Sequence, residues 1–170
     1  MTNSRLPRRL RAAPGCQRGI AAIEFAGVCL LLFLLLYGVA TFAAVLYTQQ
    51  AVSRAAEDGA RVVSMLPAAP VANDPLVRQV VYDSLAGSLI TPSPQGSSTA
   101  TRRAWLVAQI DPPTVSAASA AALPGGATSW TVGVSYPYAA NRLLPSLPLI
   151  DASRWMPATL VAHATAVRQP

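Results

Sequence analysis

Glu24 is the residue of this sequence whose position most suggests chemistry. It is the single acid in the first 56 residues, and it stands directly before a long run without charged side chains. A carboxylate beside hydrocarbon costs on the order of a few kcal/mol unless it is paired or lies at the membrane interface. One interpretation is an interfacial helix N-terminus, where the helix dipole favours a negative charge. The other interpretation depends on the residues that precede Glu24.

Side chains with catalytic potential are sparse in the rest of the sequence. The one histidine, His163, lies in a strand-like pattern, and no feature ties the loop acids Asp111 and Asp151 to it. We find no cysteine cluster for zinc, no phosphate-binding glycine motif and no paired carboxylates at helical spacing. We therefore expect no enzymatic activity, no metal, no cofactor and no small-molecule substrate.

Basic charge is concentrated at the N-terminus. All 13 basic residues are arginines, against seven acids, which gives a net charge of +6. The first 19 residues contain no acid and five arginines: Arg5, Arg8, Arg9, Arg11 and Arg18. The rest of the chain is nearly neutral, so the high pI does not indicate a basic face on a folded domain. Nucleic acid is therefore not an expected partner.

An uncharged run at residues 25–46 is long enough to cross a bilayer. At about 1.5 Å per helical residue it spans roughly 33 Å, and a hydrocarbon core is about 30 Å thick. A cleaved secretory signal would have a shorter apolar core and a small-residue cleavage site after it, so we interpret the run as a retained anchor. The positive-inside rule keeps the preceding arginines cytoplasmic. Residues after about 50 are then periplasmic if the source is a Gram-negative bacterium.

The helix is predicted to continue beyond the membrane. The chain has 15 prolines, yet residues 15–66 contain none, and proline is strongly disfavoured inside helices. After the apolar run, small and apolar residues recur at spacings of three and four, as on one face of an amphipathic helix: Val52, Ala55, Gly59, Val62 and Leu66. We predict one helix over residues 20–66, with its first half in lipid and its second half packed on a folded domain.

The segment around Glu24 resembles the processing site of type IV pilins and pseudopilins. From Arg18 it reads RGIAAIEF, directly before the apolar run. In that superfamily a short basic leader ends in glycine, and a prepilin peptidase cleaves after this glycine. The mature chain then carries glutamate at its fifth position. Cleavage after Gly19 makes Ile20 the first residue and Glu24 the fifth, so the register agrees with the superfamily.

Residues 18–66 resemble more closely the N-terminal region of TadE-like proteins, which are minor pseudopilins of the tight-adherence (Flp) pilus. The resemblance rests on AIEFA, the apolar run and the later SRAAEDGAR, and it extends loosely to the region after Trp130. It implies that Glu24 of one subunit pairs with the new Ile20 amine of its neighbour and so sets axial register. The implied partners are the prepilin peptidase, the inner-membrane assembly platform with its ATPase, other pilins or pseudopilins, and membrane lipid.

The remainder of the chain is predicted to form a small α+β head. A helix is expected over Pro75–Gly87, with Asn73 and Asp74 as capping residues. The clearest half-buried strand is the alternating Trp130–Tyr138 segment, whose Trp130 face should be core. Two further strands are expected at residues 105–110 and 159–168, with loops at residues 91–103, 114–129 and 141–156. These elements would make a small antiparallel sheet with one helix, packed on the outer half of the long helix.

The predicted organisation is a cleaved leader (1–19), a long helix (20–66) and a periplasmic head (67–170). We predict a structural protein, a minor pseudopilin that initiates, primes or caps a Flp-type pilus or forms a short pseudopilus. A single-span periplasmic scaffold or binding protein that keeps its N-terminus is one alternative. A pseudopilin of a type II secretion system is another, although more threonine and leucine would be expected there in place of Ala21, Ala22 and Ile23. An anchored enzyme would need a polar pocket that the sequence does not indicate.

Overall fold

The computed structural model describes residues 17–91, 98–117, 128–145 and 155–168. The elements in chain order are α1 (Gln17–Met65), α2 (Pro75–Gly87), α3 (Thr99–Gln109), β1 (Thr114–Ala117), β2 (Thr128–Tyr136) and β3 (Leu160–Arg168). The predicted α+β class is confirmed, with a long apolar N-terminal helix, a three-stranded antiparallel sheet and two further helices. Residues 1–16 of the predicted leader lie outside the described residues.

The chain divides into two compact units, residues 1–40 and 41–170. In the first unit α1 exposes almost every described side chain, with Leu34 and Tyr37 partly covered. Among the described residues one helix, Gly19–Met65, is long and apolar enough to cross a membrane by its length and composition. A soluble protein rarely leaves so large an apolar surface uncovered, so this exposure fits a helix that other molecules surround.

In the second unit one face of α1 is buried. The buried residues are spaced by three and four positions: Val52, Ala55, Ala56, Gly59, Ala60 and Val63. The predicted stripe is confirmed at Val52, Ala55 and Gly59, whereas Val62 and Leu66 are only half-buried. The predicted positions follow a spacing of about 3.5 residues, which drifts around a straight helix of 3.6 residues per turn. The buried face therefore passes through Val63 instead of Val62.

The helix α2 begins where the sequence predicts. Asp74 is its N-cap, and its Oδ1 accepts a hydrogen bond from the Leu76 N–H at 2.9 Å. Pro75 occupies the first turn, where a missing N–H costs nothing. Asn73 has a φ of 63°, a left-handed conformation that asparagine tolerates better than most residues. It turns the chain into the cap, so the two residues have different roles.

The predicted strand at residues 105–110 is wrong, because these residues belong to the end of α3 and its C-cap. Ser98 caps α3, with its Oγ accepting from the Thr101 N–H at 3.1 Å. The apolar run in this region is too short to distinguish a strand from one turn of helix. Alanine and arginine favour helix, and they fill the preceding turns. The helix stops at the C-cap Ile110, shortly before Pro112, because prolines disfavour the helical conformation in the residue before them.

The sheet has the order β1-β2-β3, with both pairs antiparallel. The central strand β2 and the final strand β3 confirm two predicted strands, although β2 ends at Tyr136 instead of Tyr138. The four-residue β1 lies in a segment that the sequence predicted as loop. The first predicted loop, residues 91–103, is also wrong at its end, because α3 begins at Thr99. Parts of the three predicted loops, residues 92–97, 118–127 and 146–154, lie outside the described residues.

The helices cover one face of the sheet. Val132, Val134 and Tyr136 point from β2 into this core, which confirms the predicted core face, although Trp130 itself is only partly buried. The core joins α1, α2, α3 and all three strands: Val52, Ala55, Ala56, Ala60, Val63, Val77, Val81, Tyr82, Leu85, Ala86, Ile90, Leu106, Ile110, Val115, Val132, Val134, Tyr136, Tyr138, Leu160, Ala162 and Ala166. The second half of α1 is therefore an integral part of the head.

Candidate processing and assembly site

The three predicted site residues lie in the first turns of α1. Ile20 is 62% exposed, and Glu24 is also exposed. A Cβ atom added to Gly19 would meet no other group within 4 Å. Residues four apart share a helix face, so the Ile20 position and the Glu24 carboxylate lie on one side of α1. Their surroundings leave this face open to another molecule.

Glu24 has no cationic partner among the described residues. The ion pair found among the described residues lies in the second unit and joins Arg103 Nε and Asp83 Oδ1 at 3.1 Å. A carboxylate that enters a lipid or protein interior needs a compensating charge. None of the described side chains supplies that charge to Glu24.

Open glycines follow Gly19 along the apolar half of α1. Added Cβ atoms on Gly27 and Gly38 would likewise meet nothing within 4 Å. Glycine costs about 1 kcal/mol relative to alanine inside a helix, and no contact among the described residues requires it at these positions. Small residues permit close helix approach in membranes, so the surface of this half is suited to packing with other helices.

The comparison with known families involves this same part of the chain. Residues 19–61 match the family model of TadE-like proteins. This region is TadE-like. The predicted resemblance is confirmed, and the TadE-like region begins at Gly19 and extends into the half of α1 that packs on the head. No curated protein and no solved structure matches the chain.

The TadE-like family is associated with the Tad pilus and is structural in character. Two features of the TadE-like region agree with such a protein. Its first part has exposed apolar side chains, including Ile23 at 75% exposure and Phe25 at 71%. Its last part is buried in the head core. The TadE-like region therefore has a first part with exposed apolar side chains and a last part that belongs to the core of the head.

His163 occupies an ordinary strand position. It is exposed on the face of β3 opposite the core and pairs in register with Gly133 of β2. Its Nδ1 lies 3.0 Å from the position of a Cβ on Gly133, and Thr114 Oγ1 lies 2.6 Å from it. These two neighbours fill the space that a side chain at position 133 would need. No group of three or more potential metal ligands occurs within the described ranges.

Two open clefts flank α1 in the head unit. One has a volume of about 360 Å³ and lies between residues 57–64 of α1 and residues 164–167 of β3. The other has a volume of about 510 Å³ and lies between α1 and α2. On the wall of this second cleft, Ser84 Oγ donates a hydrogen bond to Asp58 Oδ2 at 2.7 Å. Both clefts are open to solvent and lie between α1 and a neighbouring element of the head.

Two polar residues just after the apolar run have partners that the sequence did not reveal. The Leu89 N–H donates a hydrogen bond to Tyr47 Oη at 3.1 Å, across 42 residues. Gln49 Nε2 donates to the Val161 carbonyl at 3.1 Å, across 112 residues. Tyr47 and Gln49 belong to the polar segment that follows the run in the sequence, but the sequence contains no signal for such distant partners.

Proposed function

We propose that the chain is a minor pseudopilin of a Tad (Flp-type) pilus. In this role it is cleaved after Gly19 and joins the filament or its base through α1. The proposal rests chiefly on the TadE-like match over residues 19–61, which starts at the glycine of the proposed processing site. The exposed Glu24 face of α1, which has no cationic partner among the residues that the structure describes, supports the same role.

The processing step is a hydrolysis of the Gly19–Ile20 peptide bond by a prepilin peptidase. Water adds across the bond, which leaves a carboxylate on Gly19 and a new ammonium group on Ile20. A protease needs an extended strand in its active site, and these residues are helical in the structure. Glycine leaves a helix more readily than any residue except proline, and no described residue comes within 4 Å of the position of a Cβ atom on Gly19 to resist this change.

The new ammonium group would serve as the missing partner of Glu24. In an assembly, the Ile20 amine of one subunit lies beside the Glu24 carboxylate of the next. Because both groups are costly when unpaired in an apolar setting, only the register that joins them is favourable. The pair therefore specifies axial position more than it contributes net stability.

The proposed topology follows from the charge distribution. The arginine-rich leader is cytoplasmic, the apolar run of α1 crosses the bacterial inner membrane once, and the head is periplasmic. The peptidase then cleaves on the cytoplasmic side. The other proposed partners are the inner-membrane assembly platform, the ATPase that acts through it, and further pilins or pseudopilins.

Intact-mass analysis tests the proposal. The full chain is expressed in a host with its Tad peptidase, purified from membranes and measured alongside material from a host without the peptidase. We expect loss of residues 1–19 only where the peptidase is present. Retention of the full leader in both hosts would contradict the pseudopilin role and favour a single-span scaffold or binding protein.

A further inference from the structure

Two head segments meet α1 directly beyond the end of the apolar run. Leu89 follows α2 and contacts Tyr47, and the start of β3 contacts Gln49 through Val161. Positions two apart on a helix differ by about 200° in direction, so the two segments approach α1 from nearly opposite sides. Leu46, the last residue of the uncharged run, lies one residue before Tyr47 in the same unit. This end of the head therefore contacts α1 at Tyr47 and Gln49, directly after the last residue of the uncharged run.

The direction of the elements shows which loops share this end. The helix α2 runs back along α1, since Ser84 bonds Asp58 while Leu89 bonds Tyr47. The start of β3 pairs with the end of β2, at Leu160 and Tyr136. The residues that follow α2, those that follow β2 and those that precede β3 are consequently all at the end of the head nearest the apolar run.

Large apolar side chains are exposed in these loops. Leu89 is 71% exposed, and Trp155, which lies shortly before β3, is 89% exposed. Tyr47 is 41% exposed beside Leu89. Tryptophan and tyrosine concentrate where a membrane meets water, because their rings are amphipathic. Contact with water alone does not explain why the large apolar ring of Trp155 is so exposed on a folded head.

Two basic side chains, Arg102 and Arg142, lie beside these loops. Arg102 Nη1 donates to the Ser88 carbonyl at 3.3 Å. Arg142 follows Asn141, whose carbonyl accepts from Tyr136 Oη, and the same hydroxyl donates to the Ile90 carbonyl at 2.9 Å. The Nε atoms of both arginines are buried without a hydrogen-bond partner among the described residues. Two acids, Asp58 and Asp83, also line the cleft beside Tyr47 and Ser88. Asp58 accepts a hydrogen bond from Ser84, and Asp83 is paired with Arg103.

We propose that this rim, composed of Tyr47, Leu89, Arg102, Arg142 and Trp155, seats the head on a bilayer that contains anionic phospholipid. Leu89 and Trp155 enter the interfacial layer, and the two arginines bind headgroup phosphates. Basic side chains near an anionic leaflet gain electrostatic attraction, and apolar side chains gain from burial at the acyl boundary. The continuity of the rim with the apolar end of α1 favours lipid over a separate protein as its occupant.

Depth-resolved fluorescence quenching tests the proposal. The full chain is reconstituted in vesicles of zwitterionic lipid and phosphatidylglycerol, with a portion of the lipid brominated close to the headgroup. We expect brominated lipid to reduce the emission of the wild-type protein. The quenched share should be lost in Trp155→Phe and retained in Trp130→Phe. Because Trp155 is exposed in the structure, its replacement should leave the head folded, which circular dichroism verifies.

The charge of the rim is tested in the same vesicles. Omission of phosphatidylglycerol, or the double change Arg102→Gln and Arg142→Gln, should weaken the quenching of Trp155. The matched change Arg61→Gln, at an exposed arginine near the opposite end of the head, should leave it unaltered. Equal quenching of wild type and Trp155→Phe would overturn the proposal. Shielding of Trp155 that needs added pilus subunits and no bilayer would also overturn it, because the rim would then be a protein contact.

Discussion

Val81 Cγ2 lies 2.9 Å from the position that a Cβ atom would take on Gly59, and Val132 Cγ1 lies 3.1 Å from it. The side chains of α2 and β2 therefore occupy the space directly over one glycine of α1. Real Cβ atoms essentially never approach another atom within 3.0 Å. Because Gly59 has no side chain, α2 and β2 can pack closely on α1 at this position.

Gly59→Ala should destabilise the head. The added methyl group must displace two buried valines, and overpacking of this kind costs about 1–3 kcal/mol. The intrinsic helix preference of alanine offsets up to about 1 kcal/mol of that cost. We expect a net decrease in the free energy of unfolding, measured by urea titration of the detergent-solubilised full chain.

Gly87→Ala is the matched control for this prediction. Gly87 also lies in a helix, but an added Cβ would meet nothing within 4 Å. The free energy of unfolding of the Gly87→Ala variant should be unchanged or slightly higher than that of the wild type. Equal destabilisation by both substitutions would contradict the prediction that the close packing over Gly59 is what makes Gly59→Ala unfavourable.

Gly19→Leu should block processing. A bulky side chain at this position would clash in the active site of the peptidase, and leucine also stabilises the helix around the scissile bond relative to glycine. Gly27→Leu is the control, because this glycine lies in the same helix with an equally open Cβ position. Immunoblots in the presence of the peptidase should show the longer species for Gly19→Leu alone. Normal cleavage of this variant would place the processing site elsewhere.

Glu24→Gln should be inserted and cleaved but should enter the pilus poorly. The neutral amide cannot compensate the new Ile20 ammonium group, so the specific register is lost. Glu57→Gln removes an exposed carboxylate from the outer half of the same helix and should assemble normally. The measurement is the amount of each variant in sheared pilus fractions relative to its amount in membranes. Equal incorporation of both variants would contradict the charge-pairing role.

Tyr136 should make the head sensitive to alkali. Burial, and secondarily the charge of nearby Tyr138, raise the pKa of Tyr136 well above its ordinary value of 10.0. The native state therefore keeps a proton that the unfolded chain releases first. The contribution to stability is complete below pH 10 and declines as the pH rises from there toward the higher native pKa, by up to about 1.4 kcal/mol per pH unit.

Tyr136→Phe should flatten this alkaline decline, at the cost of about 1 kcal/mol at neutral pH for the hydrogen bond to the Ile90 carbonyl. Tyr82→Phe is the control, because it removes another buried bond, from Tyr82 Oη to the Ile110 carbonyl. It should lower stability without altering the decline that Tyr136 causes. Urea titrations between pH 8 and pH 12 measure both effects, and an identical decline in all three proteins would exclude Tyr136 as its origin.

The long helix could be read from the sequence because its signals are local. The proline-free stretch, the uncharged run and the small-residue stripe act over a few turns each, and α1 extends over Gln17–Met65 accordingly. The cap of α2 was also local, since Asp74 bonds a residue two positions away. The motif around Glu24 depends only on spacing, so the TadE-like resemblance was accessible as well.

The head was less predictable where its elements depend on distant contacts. The segment containing Trp105 has a strand-like run, but the Ser98 cap and the helix-favouring residues around it produce α3. The short strand β1 has little pattern of its own and is defined by its pairing with Thr131 and Val132. Four residues are too few for alternation to indicate a strand.

By itself the sequence determined the long apolar helix, its family resemblance and the amphipathic face that follows the apolar run. These features depend on periodicity and charge, which are properties of residues close together in the chain. Only the tertiary structure shows that α2 and β2 pack closely over Gly59. It also shows that Leu89 and Val161 contact Tyr47 and Gln49. These contacts join residues far apart in the chain. They arise from the packing of complete elements, for which no local pattern gives the partner.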